Sequence, residues 1–119
     1  MDENALVILS KGFAAEIIKL CETLRSRGKS AVLLNQFLRC GTSIGANIHE
    51  ANYASSRADF INKLQISLKE CYETDYWLSV FHESDIITDE EYKKMDAECG
   101  KIRRLLIASV NTAKQNSEI

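Results

Sequence analysis

The chain has 119 residues, of which 45% are hydrophobic and 27% charged, with no proline and five glycines. That length supports one core and not two, and the missing proline excludes the turn-rich chemistry of an all-β or irregular protein, leaving an all-α domain of long helices with short connections. A formal charge of −2 and a pI near 5.7 exclude a surface that is basic throughout, while leaving room for a local basic patch.

From residue 4 to 26, Leu6, Leu9, Phe13, Ile17, Leu20 and Leu24 recur at spacings of three and four and lay an apolar stripe along a first helix, widened by Val7, Ala14, Ile18 and Cys21. The segment from Arg25 to Ser30 breaks the stripe, with Gly28 suited to a left-handed cap and Ser30 suited to begin the next helix. A second helix over 31–53 places Leu34, Phe37, Gly41, Ile44, Ile48 and Ala51 inward. Gly41 and Gly45 share a face, and each costs a helix interior about 1 kcal/mol relative to alanine. Their presence predicts the close approach of a neighbouring helix there, or a bend.

Ser55, Ser56 and Asp59 offer the capping chemistry of a third helix over 56–83. Phe60, Leu64, Ser67, Cys71, Thr74, Leu78 and Phe81 alternate by three and four, the narrow seam of a bundle. Ile61, Ile66, Leu68, Tyr72, Tyr76 and Trp77 fall outside that seam, so this helix is expected to touch more than one neighbour. Thr88 and Glu91 form a capping box for a fourth helix over 89–114, whose stripe is Tyr92, Met95, Cys99, Ile102, Leu106, Ser109 and Ala113, backed by Leu105 and Val110. With no linker, repeat or low-complexity tract, the chain is expected to be one domain, an up-down-up-down antiparallel four-helix bundle.

Catalytic chemistry finds little footing. A carboxylate-bridged metal site in a bundle needs Glu-x-x-His on two helices, and this chain has none; His49 and His82 each directly precede a glutamate, about 100° away around a helix. Neither histidine has an evident nucleophile with an orienting acid, and there is no phosphate-binding glycine loop. Cys21, Cys40, Cys71 and Cys99 show neither a CxxC pair nor a histidine at ligand spacing, and are expected as buried apolar residues in a reducing compartment. The expectation is a non-enzyme without metal, cofactor or small-molecule substrate. The acidic start Met1-Asp2-Glu3-Asn4 differs from a basic secretory signal, and no apolar run reaches the ~20 residues that cross a bilayer, so a cytoplasmic location without membrane contact is expected.

Two groups of polar residues remain. Asn47 and Glu50 on helix two, and Glu70 and Glu73 on helix three, are each three apart and share a face. They belong either to a solvated surface supported by the four-residue pairs Asp59/Lys63 and Lys69/Glu73, or to a network between helices or subunits that sets register. Tyr76 and Trp77, beside the seam, have the composition of an interface anchor. Arg25, Arg27 and Lys29 at the first turn, with Lys94, Lys101 and Arg104 on helix four, form the candidate nucleic-acid contact, diluted by Glu90, Glu91, Asp96 and Glu98.

The run Gly41-Thr42-Ser43-Ile44-Gly45-Ala46-Asn47-Ile48, continuing through Glu50-Ala51, resembles the bacterial four helix bundle proteins, also described as 23S rRNA intervening-sequence proteins. So do Asp59-Phe60-Ile61, Leu68-Lys69-Glu70 and Tyr76-Trp77-Leu78. The resemblance implies a four-helix bundle. It also implies a ring-shaped homo-oligomer, a pentamer in a related accessory protein of diversity-generating retroelements that binds nucleic acid and a reverse transcriptase. On that basis Gly41, Gly45, Asn47, Glu50, Glu70, Glu73, Tyr76 and Trp77 are expected at a subunit interface, with RNA, DNA or a nucleic-acid-processing protein as further partner. Many relatives have Glu-Gly where this chain has Glu50-Ala51, and the retroelement protein is strongly basic where this chain is acidic.

Overall fold

The computed structural model describes residues 3–117. Four helices follow one another: α1 (Glu3–Ser26), α2 (Ala31–Ala51), α3 (Arg57–Glu83) and α4 (Asp89–Ser117). Each packs on its neighbours in the chain, and α4 returns to α1, while among the described residues the diagonal pairs make no close backbone approach. The result is an antiparallel bundle measuring 52 × 22 × 20 Å. Among the described residues there is no strand, and no helix is long and apolar enough to cross a membrane.

Backbone chemistry at the helix ends explains the short turns. α1 ends on a left-handed glycine, Gly28 (φ 77°), with Lys29 N–H donating to Leu24 O and Gly28 N–H to Arg25 O, the paired bonds that satisfy the last helical carbonyls. The same pair of bonds closes α3 around Asp85 (φ 58°), from Ile86 N–H to Phe81 O and from Asp85 N–H to His82 O. Thr88 and Glu91 cap α4 reciprocally, at 2.9 and 3.1 Å. At α3, Asp59 N–H donates to Ser56 Oγ at 3.1 Å. Ser30 takes the N-cap position of α2 without a side-chain hydrogen bond. α2 stops two residues short of its expected end, because Asn52 and Tyr53 bond to carbonyls three rather than four residues back.

The core follows the predicted stripes. Phe13, Ile17, Leu24, Phe37, Ile44, Leu78, Phe81, Ile102 and Leu106 are sealed from solvent. Phe37 and Phe81 lie 5.3 Å apart across the α2–α3 seam. The polar members of the α3 stripe hydrogen-bond rather than face water: Ser67 Oγ donates to Ile44 O on α2 at 2.8 Å, and Thr74 Oγ1 donates to Glu70 O at 2.7 Å while lying 3.3 Å from Cys40 Sγ. Each helix contributes one cysteine and all four are buried and unpaired. Burial pushes the Cys40 thiol up to about 11, and Cys99 is raised by its hydrogen bond with Cys71 and by burial.

The two glycines of α2 serve the α1–α2 seam. A methyl group on Gly41 would stand 2.8 Å from Ile17 Cδ1, and one on Gly45 would stand 3.2 Å from the Ser10 carbonyl. Close approach of a neighbour, not a bend, is therefore their reason, and the neighbour is α1 of the same chain. Gly41 is buried inside the bundle and offers no surface to a second subunit.

Candidate interaction site

The outer edge of the α2–α3 seam is organised by Arg39. Its guanidinium crosses from α2 to two carboxylates on α3, Glu70 at 3.2 Å and Glu73 at 2.5 Å. The hydrogen bond from Arg39 holds the Glu73 carboxyl below the ordinary glutamate range, with burial opposing it, and the same bond raises Arg39. Glu73 also accepts from Trp77 Nε1 at 3.2 Å. One carboxylate thus fixes both a cation and an indole, and a planar guanidinium suits such forked recognition better than an ammonium.

The indole in turn positions the aromatic residues around it. Trp77 meets Phe81 of the core at 5.9 Å and holds Tyr76 edge-on at 5.3 Å. Tyr76 projects outward, 60% exposed, and Tyr72 one turn earlier is 53% exposed. These rings stand on a helix whose rotation is set by its buried seam, so both lie on the face turned away from the core.

The polar residues predicted as one network separate into three arrangements. Glu70 and Glu73 meet at Arg39; Glu50 pairs with Lys63 of α3 at 3.1 Å; Asn47 Nδ2 donates to Ser43 O of its own helix at 2.8 Å. The four-residue pairs Asp59/Lys63 and Lys69/Glu73 do not form: Lys63 and Glu73 bond across the seam to α2, and Asp59 accepts from Ser55 N–H at 3.1 Å. Sequence reasoning missed Arg39, whose partners lie 31 and 34 positions away, and gave Tyr72 no role.

The basic candidates are dispersed and partly neutralised. Arg27 forms a forked pair with Glu91 at 3.1 and 3.2 Å, and Lys94 bonds Glu16 at 3.1 Å. Arg25 donates to Asn35 at 3.3 Å, and Lys29 is half-buried. Lys101 and Arg104 remain exposed on α4, where the Arg104 guanidinium lies over Gly100. An α3–α4 ion pair, Arg103 with Asp75, leaves Asp75 Oδ1 sealed from solvent without a hydrogen-bond partner.

Two seams of the bundle are grooved. Between α1 and α2 a cleft of about 370 Å³ is lined by Val7, Ser10, Ala14, Gly45, Ala46 and His49, with Lys11 and Thr42 at its edge. Between α1 and α4 lie a cleft of about 340 Å³ around Gly12, Phe13 and Ile102, and one of about 200 Å³ around Leu20 and Met95, both touching Glu16. Glu98, at the first of these, is raised mainly by burial. Among the described residues no group of three or more His, Cys, Asp or Glu is placed to hold a metal.

The geometry defines an antiparallel four-helix bundle distinguished by an aromatic projection on α3 and a small-residue cleft between α1 and α2. The sequence matches the family described as 23S rRNA-intervening sequence protein over residues 3–108, and the chain belongs to that family. It is similar in structure to a protein of unknown function of the S23 ribosomal protein family from Bacteroides thetaiotaomicron. The two share 45% sequence identity at a TM-score of 0.90, over 93% of this chain and 99% of that one. No curated protein matches it.

Proposed function

We propose that the protein is a non-enzymatic, self-assembling scaffold or accessory protein, working in the cytoplasm as a homo-oligomer that presents a surface to a nucleic acid or to a protein that processes one. The observation that carries this reading is the pair of exposed tyrosines on one face of α3, Tyr72 and Tyr76, the second packed edge-on against Trp77, whose indole is hydrogen-bonded to Glu73. Tyrosine is enriched at interface hot spots. By the family resemblance the expected assembly is a ring of five. Light scattering tests this: the expected mass is a multiple of 13.4 kDa, falling in Trp77→Ala/Glu73→Ala. A monomer at every concentration sinks the proposal.

A second reading, direct nucleic-acid binding, is favoured by one observation: Lys101 and Arg104 are exposed and make no ion pair among the described residues. Symmetry would multiply them around an assembly. Titration with structured RNA and duplex DNA over a salt series is expected to show binding that weakens steeply with salt, because each neutralised phosphate releases counterions, and weakens further in Lys101→Ala/Arg104→Ala. Absence of binding at low salt leaves a protein-directed scaffold.

A further inference from the structure

The α3–α4 seam holds a group of reactive side chains that play no part in the tyrosine face. Cys71 and Asp75 stand one turn apart on α3, and Cys99 and Arg103 one turn apart on α4, so that two pairs meet across the seam. Cys99 Sγ donates to Cys71 O at 3.7 Å, and the two thiols also hydrogen-bond with each other. Neither cysteine reaches solvent. Arg103 pairs with Asp75 Oδ2, which leaves Asp75 Oδ1 sealed and without a partner. The other two thiols meet oxygen instead: Cys21 Sγ lies 3.9 Å from Leu34 O, and Cys40 Sγ lies 3.4 Å from Phe37 O and 3.3 Å from Thr74 Oγ1.

We propose that Cys71 and Cys99 form a redox latch, which a hydroperoxide oxidises to an intramolecular disulfide that ties α3 to α4.

The chemistry takes two steps. The Cys99 sulfur attacks the terminal oxygen of the hydroperoxide as the O–O bond breaks. Its proton passes by way of Asp75 Oδ1, the unpartnered acceptor beside it, to the departing alkoxide, which leaves as an alcohol. The Cys71 sulfur then attacks the sulfenic acid so formed; the S–O bond breaks, the S–S bond forms, and hydroxide takes the Cys71 proton and leaves as water. The two thiols lose two electrons and the peroxide gains them. Arg103 stands close enough for its charge to act on both sulfurs and to offset a thiolate at either.

Burial sets the timing. The bond to Cys71 and burial, with the charge of Asp75 added, raise the Cys99 thiol, so it is no nucleophile while the bundle is closed. Oxidation waits for local opening of the seam, and after reclosure the same burial keeps reductants out. Entry and exit are both slow, and the closed hairpin between residues 71 and 99 restricts the unfolded chain.

The full chain, treated with hydrogen peroxide or tert-butyl hydroperoxide at a temperature where the bundle stays folded and then alkylated in denaturant, tests the proposal without any substitution. The expected product is lighter than the reduced chain by two hydrogen atoms before alkylation. Cys21 and Cys40 are alkylated, and the Cys71 and Cys99 peptides stay joined until dithiothreitol parts them. Its urea midpoint is expected above that of the reduced chain. Cys71→Ala and Cys99→Ala, each checked for folding by circular dichroism, are expected to form no intramolecular cross-link. Asp75→Asn, checked in the same way, is expected to slow cross-linking by at least about tenfold; an unchanged or faster rate overturns the proton route. Four alkylated thiols after peroxide treatment, oxidation to sulfinic or sulfonic acid without a cross-link, or a bond that uses Cys21 or Cys40 or joins two chains overturns the latch itself.

Discussion

The α2–α3 seam and the α1–α4 seam close the same bundle by different means. Across α2–α3, Phe37 packs tilted against Phe81, Ser67 bonds the Ile44 carbonyl, and two ion-pair groups bridge the outside. Across α1–α4, Lys94 pairs with Glu16 at the surface, and clefts of about 340 and 200 Å³ interrupt the packing. The difference teaches where this fold keeps its rigidity. The helix that carries the projecting tyrosines is the one fixed most firmly to its neighbour, while the looser seam lies on the opposite side of the molecule.

The largest effect that would sharpen this contrast is Phe37→Ala. Removing a fully buried ring is expected to cost about 3–5 kcal/mol, against less than about 2 kcal/mol for Leu9→Ala beside the α1–α4 cleft, where the residue is only partly buried and the site is already incompletely filled. Denaturant unfolding of both variants measures the difference. Equal losses would erase the distinction between the seams.

Next come two glycines with opposite expected signs. Gly12 faces open space at the α1–α4 cleft, so Gly12→Ala is expected to stabilise by about 1 kcal/mol through helix propensity alone. Gly41→Ala receives the same benefit but drives a methyl group to 2.8 Å from Ile17. Overpacking of that kind costs about 1–3 kcal/mol, so a net loss of about 1 kcal/mol is expected, with recovery in Gly41→Ala/Ile17→Val. Thermal melts that move in the same direction for both single variants would contradict the packing described.

Asp85→Gly is expected to gain about 0.5–1 kcal/mol, because the left-handed turn after α3 is then made without a Cβ; a loss in urea midpoint would show that the aspartate side chain contributes more than its strain. The smallest effect is acid dependence at the Arg39 group. Glu73 is held below its ordinary value of 4.5, so its contribution is fully present above about pH 4.5 and is lost as the pH falls through the lowered native value. Glu73→Gln is expected to lower stability near neutral pH and to converge with the wild type in acid. A constant offset between the two at every pH would remove the Arg39–Glu73 pair from the account.

Much of the bundle was legible because it rests on local regularities. Leu6 to Leu24, and Phe60 to Phe81, repeat at helical spacing, and Gly28 and the Thr88/Glu91 box announce the turns by chemistry confined to a few residues. The site was less legible because it depends on how two helices are rotated about each other. Nothing local marks Arg39 as the partner of Glu70 and Glu73, and the pairs suggested by four-residue spacing lost to cross-helix ones. Gly41 and Gly45 signalled a close approach correctly, but not which helix approaches. Arg27 and Lys94 stood among the candidate nucleic-acid contacts, yet Glu91 and Glu16, far away in sequence, pair with them.

The distribution of thiols has a practical consequence. Each helix holds a single cysteine beneath its inner surface, and each is silent toward water-borne reagents while the bundle is closed. The chain therefore carries four built-in clocks, one per helix. Brief alkylation followed by peptide mass analysis would time the release of α1, α2, α3 and α4 separately, and would show whether the bundle comes apart in one event or sheds the α1 edge first.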